Sequence, residues 1–181
     1  MRITETALPE VWLLEHPVHA DARGRFEELW RADDYAAAGL PPFVQDNHST
    51  SLRGVIRGLH YQFPQIQGKL VSVLCGAIYD VAVDIRVGSP RFGRFVAVTL
   101  VAGDGRQLWV PPGFAHGFCA LGETAHVVYK VTAPWRAAHE RAIAWDDPAL
   151  AIPWPVADPV VSERDRAAPR LADAGALPRC G

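Results

Sequence analysis

The feature that most constrains this chain is the rhythm of its breakers. Glycine and proline recur at Gly54, Gly58, Gly68, Gly76, Gly88-Ser89-Pro90, Gly103-Asp104-Gly105 and Pro111-Pro112-Gly113. Such intervals are too short for ordinary helices but suit strands of about five or six residues joined by turns. Between the breakers the pattern has a period of two. Val81, Val83 and Ile85 alternate with Asp80, Ala82, Asp84 and Arg86, and Val96, Val98 and Leu100 alternate with Phe95, Ala97 and Thr99. This alternation predicts strands with one buried face. Strand signals run from Val11 to Thr132, so the chain reads as an antiparallel sandwich or barrel.

Helical signal is slight. Arg31 to Ala38 can form two turns, with Asp33-Asp34 near the start, Gly39 as a stop and Pro41-Pro42 beyond. After Trp145 the chain turns to Pro, Ala, Asp and Arg, and six prolines from Pro148 to Pro178 break any long element. This tail, about 146–181, is expected to wrap the sandwich and to fray after about Leu171. No repeat or linker divides the chain, and 181 residues at 49% hydrophobic content suffice for one core, so 1–181 is read as a single domain.

Composition removes several functions. A formal net charge of −2 gives no long-range attraction for nucleic acid, so any anionic ligand must be met by local cations. Cys75, Cys119 and Cys180 are odd in number and lack CxxC spacing, which predicts reduced thiols rather than a disulfide framework or structural zinc. MRITETALPEVWLLEH lacks the unbroken apolar core of a secretory signal, and Gly76, Asp80 and Asp84 interrupt the apolar run from Leu70 to Ile85. A soluble cytoplasmic protein without membrane contact is the expectation.

Chemistry concentrates in QDNHSTSLRGVIRGLHYQFPQIQGKL, residues 45–70, which sets His48, Arg53, Arg57, His60 and Lys69 among apolar neighbours. Tyr61 and Gln62 follow His60 where a metal-binding jelly roll would offer a second histidine two residues on. A solitary imidazole suits proton transfer better than zinc. His116, in the pattern Pro111-x-Gly113-x-x-His116, likewise lacks an HxH partner. Of the 18 basic residues only Lys69 and Lys130 are lysines, so a compact ammonium at position 69 is an unusual choice.

Each residue also has a plainer reading. A strand histidine such as His60 is commonly a hydrogen-bonded structural group. Ser162-Glu163-Arg164-Asp165 fits a capping box in which the carboxylate serves a helix start. Tyr129, in AHVVYKVT, fits core packing. Single arginines are usually solvated.

Longer motifs shift that balance. QDNHS at 45–49, RGLHYQ at 57–62, QGKL at 67–70, DVAVDIR at 80–86, SPRFG at 89–93, QLWVPPGFAHGF at 107–118, VYK at 128–130, WDDP at 145–148 and SERD at 162–165 occur in one order. Together they resemble the dTDP-4-dehydrorhamnose 3,5-epimerase family of the cupin superfamily, whose fold is an all-β double-stranded β-helix, or jelly roll. The resemblance implies a dTDP-4-keto-6-deoxyglucose substrate and neither metal nor cofactor.

It further implies that His60 is the proton acceptor, Asp165 its orienting partner, Tyr129 the acid on the opposite sugar face and Lys69 a catalytic cation at the enolate. Arg23, Arg57 and Arg164 are implied as diphosphate or substrate contacts. Glu28, Gln45, Asp46, Asn47 and Glu140 are implied as polar substrate contacts, and His116 as a hydrogen-bonding substrate or enolate contact. Where family members commonly show a tyrosine pair, this chain has Ala133-Pro134-Trp135, making Trp135 the aromatic expected to stack on thymine. Family members are homodimers in which an N-terminal segment, here about 1–42, reaches the partner's pocket, so Arg23 and Glu28 are candidates to serve a neighbouring subunit. Rival readings are an epimerase of C3 or C5 alone or a ketoisomerase, a metal-dependent cupin, and a non-catalytic sugar-nucleotide binder.

Overall fold

A computed structural model describes residues Met1–Cys180. Two hairpins, β1 (Arg2–Glu5) with β2 (Trp12–Glu15) and β3 (Val18–Asp21) with β4 (Gly24–Glu27), precede the helix α1 (Ala32–Ala37). Next come β5 (Gln45–Leu52), β6 (Ile56–Gln62), β7 (Lys69–Cys75), β8 (Ala77–Asp84), β9 (Phe95–Val101), β10 (Arg106–Val110), β11 (Phe114–Ala120) and β12 (Thr124–Val131). A short β13 (Glu140–Ala142) and a tail containing the one-turn helix α2 (Glu163–Arg166) complete the chain. No helix among the described residues is long and apolar enough to cross a membrane.

The strands form a six-stranded sheet in the order β1-β2-β10-β7-β12-β5 and a five-stranded sheet in the order β13-β6-β11-β8-β9, both antiparallel. Val71, Val73, Leu108 and Val127 of the first meet Ile78, Ala82, Leu100, Phe114 and Phe118 of the second in one buried core. The result is the all-β, cupin-type jelly roll expected of the motifs. α1 forms where its acidic first turn favours it and stops at Gly39, whose φ of +87° ends the helix. Its Tyr35 packs with Leu14, Leu40, Leu70 and Trp109 on the outside of the six-stranded sheet.

Two expectations are corrected. β8 does not have a single buried face, because Val81, Val83 and Ile85 lie in a second cluster outside the barrel, beneath Ile143, Leu150 and Leu171 of the tail. Ala82, between them, faces the inner core, and Asp80 and Asp84 are fully buried. Second, order in the tail does not fade after Leu171: Leu171–Asp173 forms a 3-10 turn, and Cys180 N–H donates to the Val87 carbonyl at 3.0 Å. Burial of Leu171 contributes about 2 kcal/mol to that docking. In the N-terminal segment, β2 pairs with β10 and extends the six-stranded sheet, leaving the exposed β3–β4 hairpin outside both sheets.

One close approach bears directly on the site. β6 and β11 come so near each other that a Cβ on Gly58, where φ is +131°, would sit 2.5 Å from Gly117 Cα. The ladder shifts register between His116 and Phe118, and His60 is set opposite His116.

Candidate active site

A cavity of about 260 Å³ opens between the two sheets, lined by Asn47, His60, Tyr61, Gln62, Gln67, Lys69, Tyr129, Trp135 and Glu140. Its walls follow from strand alternation. On β6, Leu59 and Tyr61 belong to the cluster beneath the tail, which turns His60 and Gln62 the other way. On β7, Lys69 shares a face with the core residues Val71 and Val73, and on β12 Tyr129 shares one with Ala125 and Val127. The imidazole therefore comes from the five-stranded sheet, and the phenol and ammonium from the facing six-stranded sheet.

His60 Nε2 lies 2.7 Å from Asp165 Oδ1. Asp165 arrives on α2, where Ser162 Oγ accepts its backbone N–H at 3.1 Å, and its Oδ2 accepts Gly58 N–H at 3.3 Å. Burial pushes the Asp165 carboxyl up, but hydrogen bonds from His60, Gly58 and Ser162 and the charge of His60 together hold it below the usual carboxylate range. An ionised carboxylate can only accept, so Nε2 is the ring nitrogen that donates to it. The capping and dyad readings of Asp165 thus coexist: its backbone is capped while its side chain holds His60.

Lys69 is buried, and Nζ donates to the His60 carbonyl at 3.3 Å. Burial pulls its pKa down to about 8, opposed by the charges of Asp80 and Glu140. Asp80 also meets His116, with Nε2 2.7 Å from Oδ1, while Asp80 Oδ2 has no hydrogen-bond partner among the described residues. Burial holds the His116 pKa down, with Asp80 opposing and the charges of Lys69 and His60 adding to the depression. Tyr129 is raised, chiefly by burial, with the Arg57 charge opposing and Glu140 adding.

The rim is more open. Trp135, 51% exposed, presents its indole at the cavity, and its backbone N–H donates to Gln45 Oε1 at 2.9 Å. Gln45 Nε2 in turn donates to Asn47 Oδ1 at 2.8 Å. Arg164 pairs with Glu140 at 2.7 Å. Arg57 donates to Ser51 Oγ at 2.9 Å and to the Thr50 carbonyl, with no carboxylate partner among the described residues. Both arginines border a second opening on the Asp165 side of His60.

Not every candidate joins this group. Asp46 faces away from Gln45 and Asn47, is bound to Lys130 at 2.9 Å, and does not line the cavity. His116 is 5% exposed, pairs with Asp80 and stands opposite His60 on the neighbouring strand, set back from the residues that line the cavity. Arg23 pairs with Asp21 at the tip of the β3–β4 hairpin, and Glu28 pairs with Arg31; neither lines the cavity of its own chain. Conversely, Asp80, Gln62 and Gln67 went unassigned in the sequence. Their signal was a polar side chain in a strand or turn between apolar runs, where burial demands a partner. Among the described residues, no three His, Cys, Asp or Glu side chains gather as a cation-binding cluster.

The family model for dTDP-4-dehydrorhamnose 3,5-epimerase matches residues 5–173. The chain belongs to that family. A relative from Pseudomonas aeruginosa named dTDP-4-dehydrorhamnose 3,5-epimerase is 51% identical over 181 residues, covering 98% of this chain and 100% of its own. The dTDP-6-deoxy-D-glucose-3,5-epimerase of Legionella pneumophila, solved with dTDP-4-keto-L-rhamnose, is 46% identical and superposes with a TM-score of 0.96 over 99% of this chain and 98% of that one. A 3'-monoepimerase from Streptomyces bikiniensis, solved with dTDP-quinovose, is 35% identical, with a TM-score of 0.91 over 97% of this chain and 92% of its own. One family fold therefore carries both double and single epimerisation.

Proposed function

We propose that this chain is an isomerase that converts dTDP-4-keto-6-deoxyglucose to dTDP-4-keto-rhamnose, inverting C3 and C5 through enolates. The observation that supports this most directly is the placement of His60 and Tyr129 on facing sheets around one cavity. Inversion beside a ketone needs a base on one face of the ring, an acid on the other and a cation at the carbonyl oxygen.

In this reading His60 Nδ1 takes the α-proton while Asp165 stabilises the imidazolium formed. An α-proton lies about ten pK units above imidazole, so unaided transfer costs roughly 14 kcal/mol. The Lys69 ammonium, charged below a pH of about 8, offsets that cost at the C4 oxygen. Tyr129 O–H donates a proton to the opposite face of the carbon. The imidazolium and phenolate left behind return to their starting forms by proton exchange with water, so the reaction is neutral overall. Trp135 stacks on thymine, while Arg57 and Arg164 meet the diphosphate. In a homodimer the exposed β3–β4 hairpin would carry Arg23 towards the partner's nucleotide, with Glu28 just beyond it.

Product NMR in deuterated buffer, without any downstream reductase, tests the reading: solvent deuterium is expected at both C3 and C5. Label at a single carbon would favour the second reading, single-carbon epimerisation, which the likeness to the monoepimerase keeps in play. Label at neither would favour a non-catalytic binder. Tyr129→Phe is expected to retain exchange but impair inversion. Activity is expected to persist in chelator; loss on chelation and recovery with metal would assign the chain to metal-dependent chemistry. Light scattering is expected to give the mass of a dimer.

A further inference from the structure

The segment that presents Trp135 is held in an unusual way. Gln67 Nε2 donates to the Ala133 carbonyl at 2.6 Å, and Gln62 Nε2 donates to the Pro134 carbonyl at 3.2 Å. Gln45 Oε1 accepts the Trp135 N–H at 2.9 Å, and Gln62 Oε1 accepts the Arg136 N–H at 2.7 Å. Arg136 Nε closes the frame on Gln65 Oε1 at 3.0 Å. Thus each residue from 133 to 136 is tied through its backbone to a glutamine side chain, and Gln62 ties two of them. Gln62 and Gln67 are 4% and 9% exposed, whereas Trp135 is 51% exposed. The backbone of the segment is therefore held by the glutamine frame, while the indole itself is half exposed.

The glutamines also have a fixed relation to the reacting groups. Gln62 follows His60 by two residues on β6, and Gln67 precedes Lys69 by two just before β7. Gln45 precedes Asn47 by two on β5. Two residues along a strand span about 7 Å and return to the same face. The strands that deliver the imidazole and the ammonium, with the turn before β7, thus also deliver hydrogen bonds that hold the backbone presenting the indole.

We infer that Gln62 and Gln67 are specificity-determining positioning residues, which fix the Trp135 indole relative to His60 and Lys69 and so favour a sugar carried on a nucleobase at one set distance. The inference rests on the reading of Trp135 as the thymine platform, and it assigns the glutamines no contact with the reacting atoms. An aromatic seat already immobilised spends less binding energy on ordering itself, so loosening the frame weakens nucleotide binding without removing the stacking surface.

The test is a double-mutant cycle read by dTDP affinity, measured calorimetrically on the intact protein. Gln62→Met and Gln67→Met keep side-chain length and remove the hydrogen bonds, and thermal melts establish that each variant is folded. Each is expected to weaken dTDP binding by about three- to tenfold. Trp135→Ala is expected to weaken it by about tenfold or more. In a Trp135→Ala background the glutamine changes should add less than about twofold, the mark of residues that act through the indole. Equal losses with and without Trp135 would overturn the inference while sparing the stacking reading. The inference is likewise overturned if Trp135→Ala weakens binding and the glutamine variants do not. If Trp135→Ala binds dTDP like wild type, the stacking reading falls and takes this inference with it.

Discussion

The molecule holds two histidine–aspartate pairs with the same 2.7 Å contact and different surroundings. His60 is 28% exposed at its side chain and faces the cavity, and its aspartate is brought from the tail, 105 residues away. His116 and Asp80 sit on neighbouring strands of one sheet, at 6% and 0% side-chain exposure. The first pair has an imidazole at the cavity and a carboxylate that also accepts from a backbone N–H. The second is nearly buried, and Asp80 keeps one oxygen without a partner among the described residues while its charge supports the Lys69 ammonium. Equal geometry is therefore set in unequal surroundings. Access and the remaining contacts decide whether such a pair moves a proton or sets the field around a cation.

The largest test of that contrast is His60→Ala, expected to lower turnover by about 10³-fold or more and to abolish deuterium wash-in at both carbons. Undiminished wash-in would remove the outer pair from proton transfer. Asp165→Asn should cost about 10²- to 10³-fold across the pH range, because the amide presents the wrong partner to Nε2 and no charge to the imidazolium.

Asp80→Asn should behave differently. With that charge gone, the Lys69 pKa falls further below about 8, so the alkaline limb of turnover moves to lower pH, with a loss near pH 8 of about tenfold. A uniform, pH-independent loss would make the inner pair resemble the outer one. The smallest effect concerns stability. Lys69 has a lower pKa folded, about 8, than its ordinary 10.5, so between those values the unfolded chain binds more protons and stability rises with pH. Lys69→Met lacks this contribution. Relative to Lys69→Met, wild type should gain about 1 to 3 kcal/mol from pH 8 to 10.5 in denaturant titrations.

Much of the site was legible because strand chemistry repeats locally. RGLHYQ, QGKL and VYK each place one polar group on a strand, and His60, Lys69 and Tyr129 indeed share a cavity. The same rule separates Asp46 from its neighbours: alternation sets Gln45 and Asn47 on one face and Asp46, paired with Lys130, on the other. For Asp165 the local sequence spoke only of a helix cap; the 105-residue separation hides its pairing with His60. The motif around His116 does not disclose its partner, because Asp80 lies 36 residues away on the neighbouring strand. Gln62 and Gln67 were silent because a glutamine's partners here are backbone groups some seventy residues away.

By itself, the sequence determined the strand and turn rhythm, the short helix and the residue types able to move a proton beside a ketone, all set by backbone geometry and side-chain chemistry within a few positions. The tertiary structure decided which side of each strand became interior. A period of two separates the faces of a strand but does not say which face another layer will cover. The valines of β8 were turned outward because the proline-rich tail buries them there, leaving Asp80 inside beside His116 and within reach of the Lys69 charge. The same docking of the tail delivered Asp165 to His60, a contact fixed by packing between distant segments rather than by any local pattern.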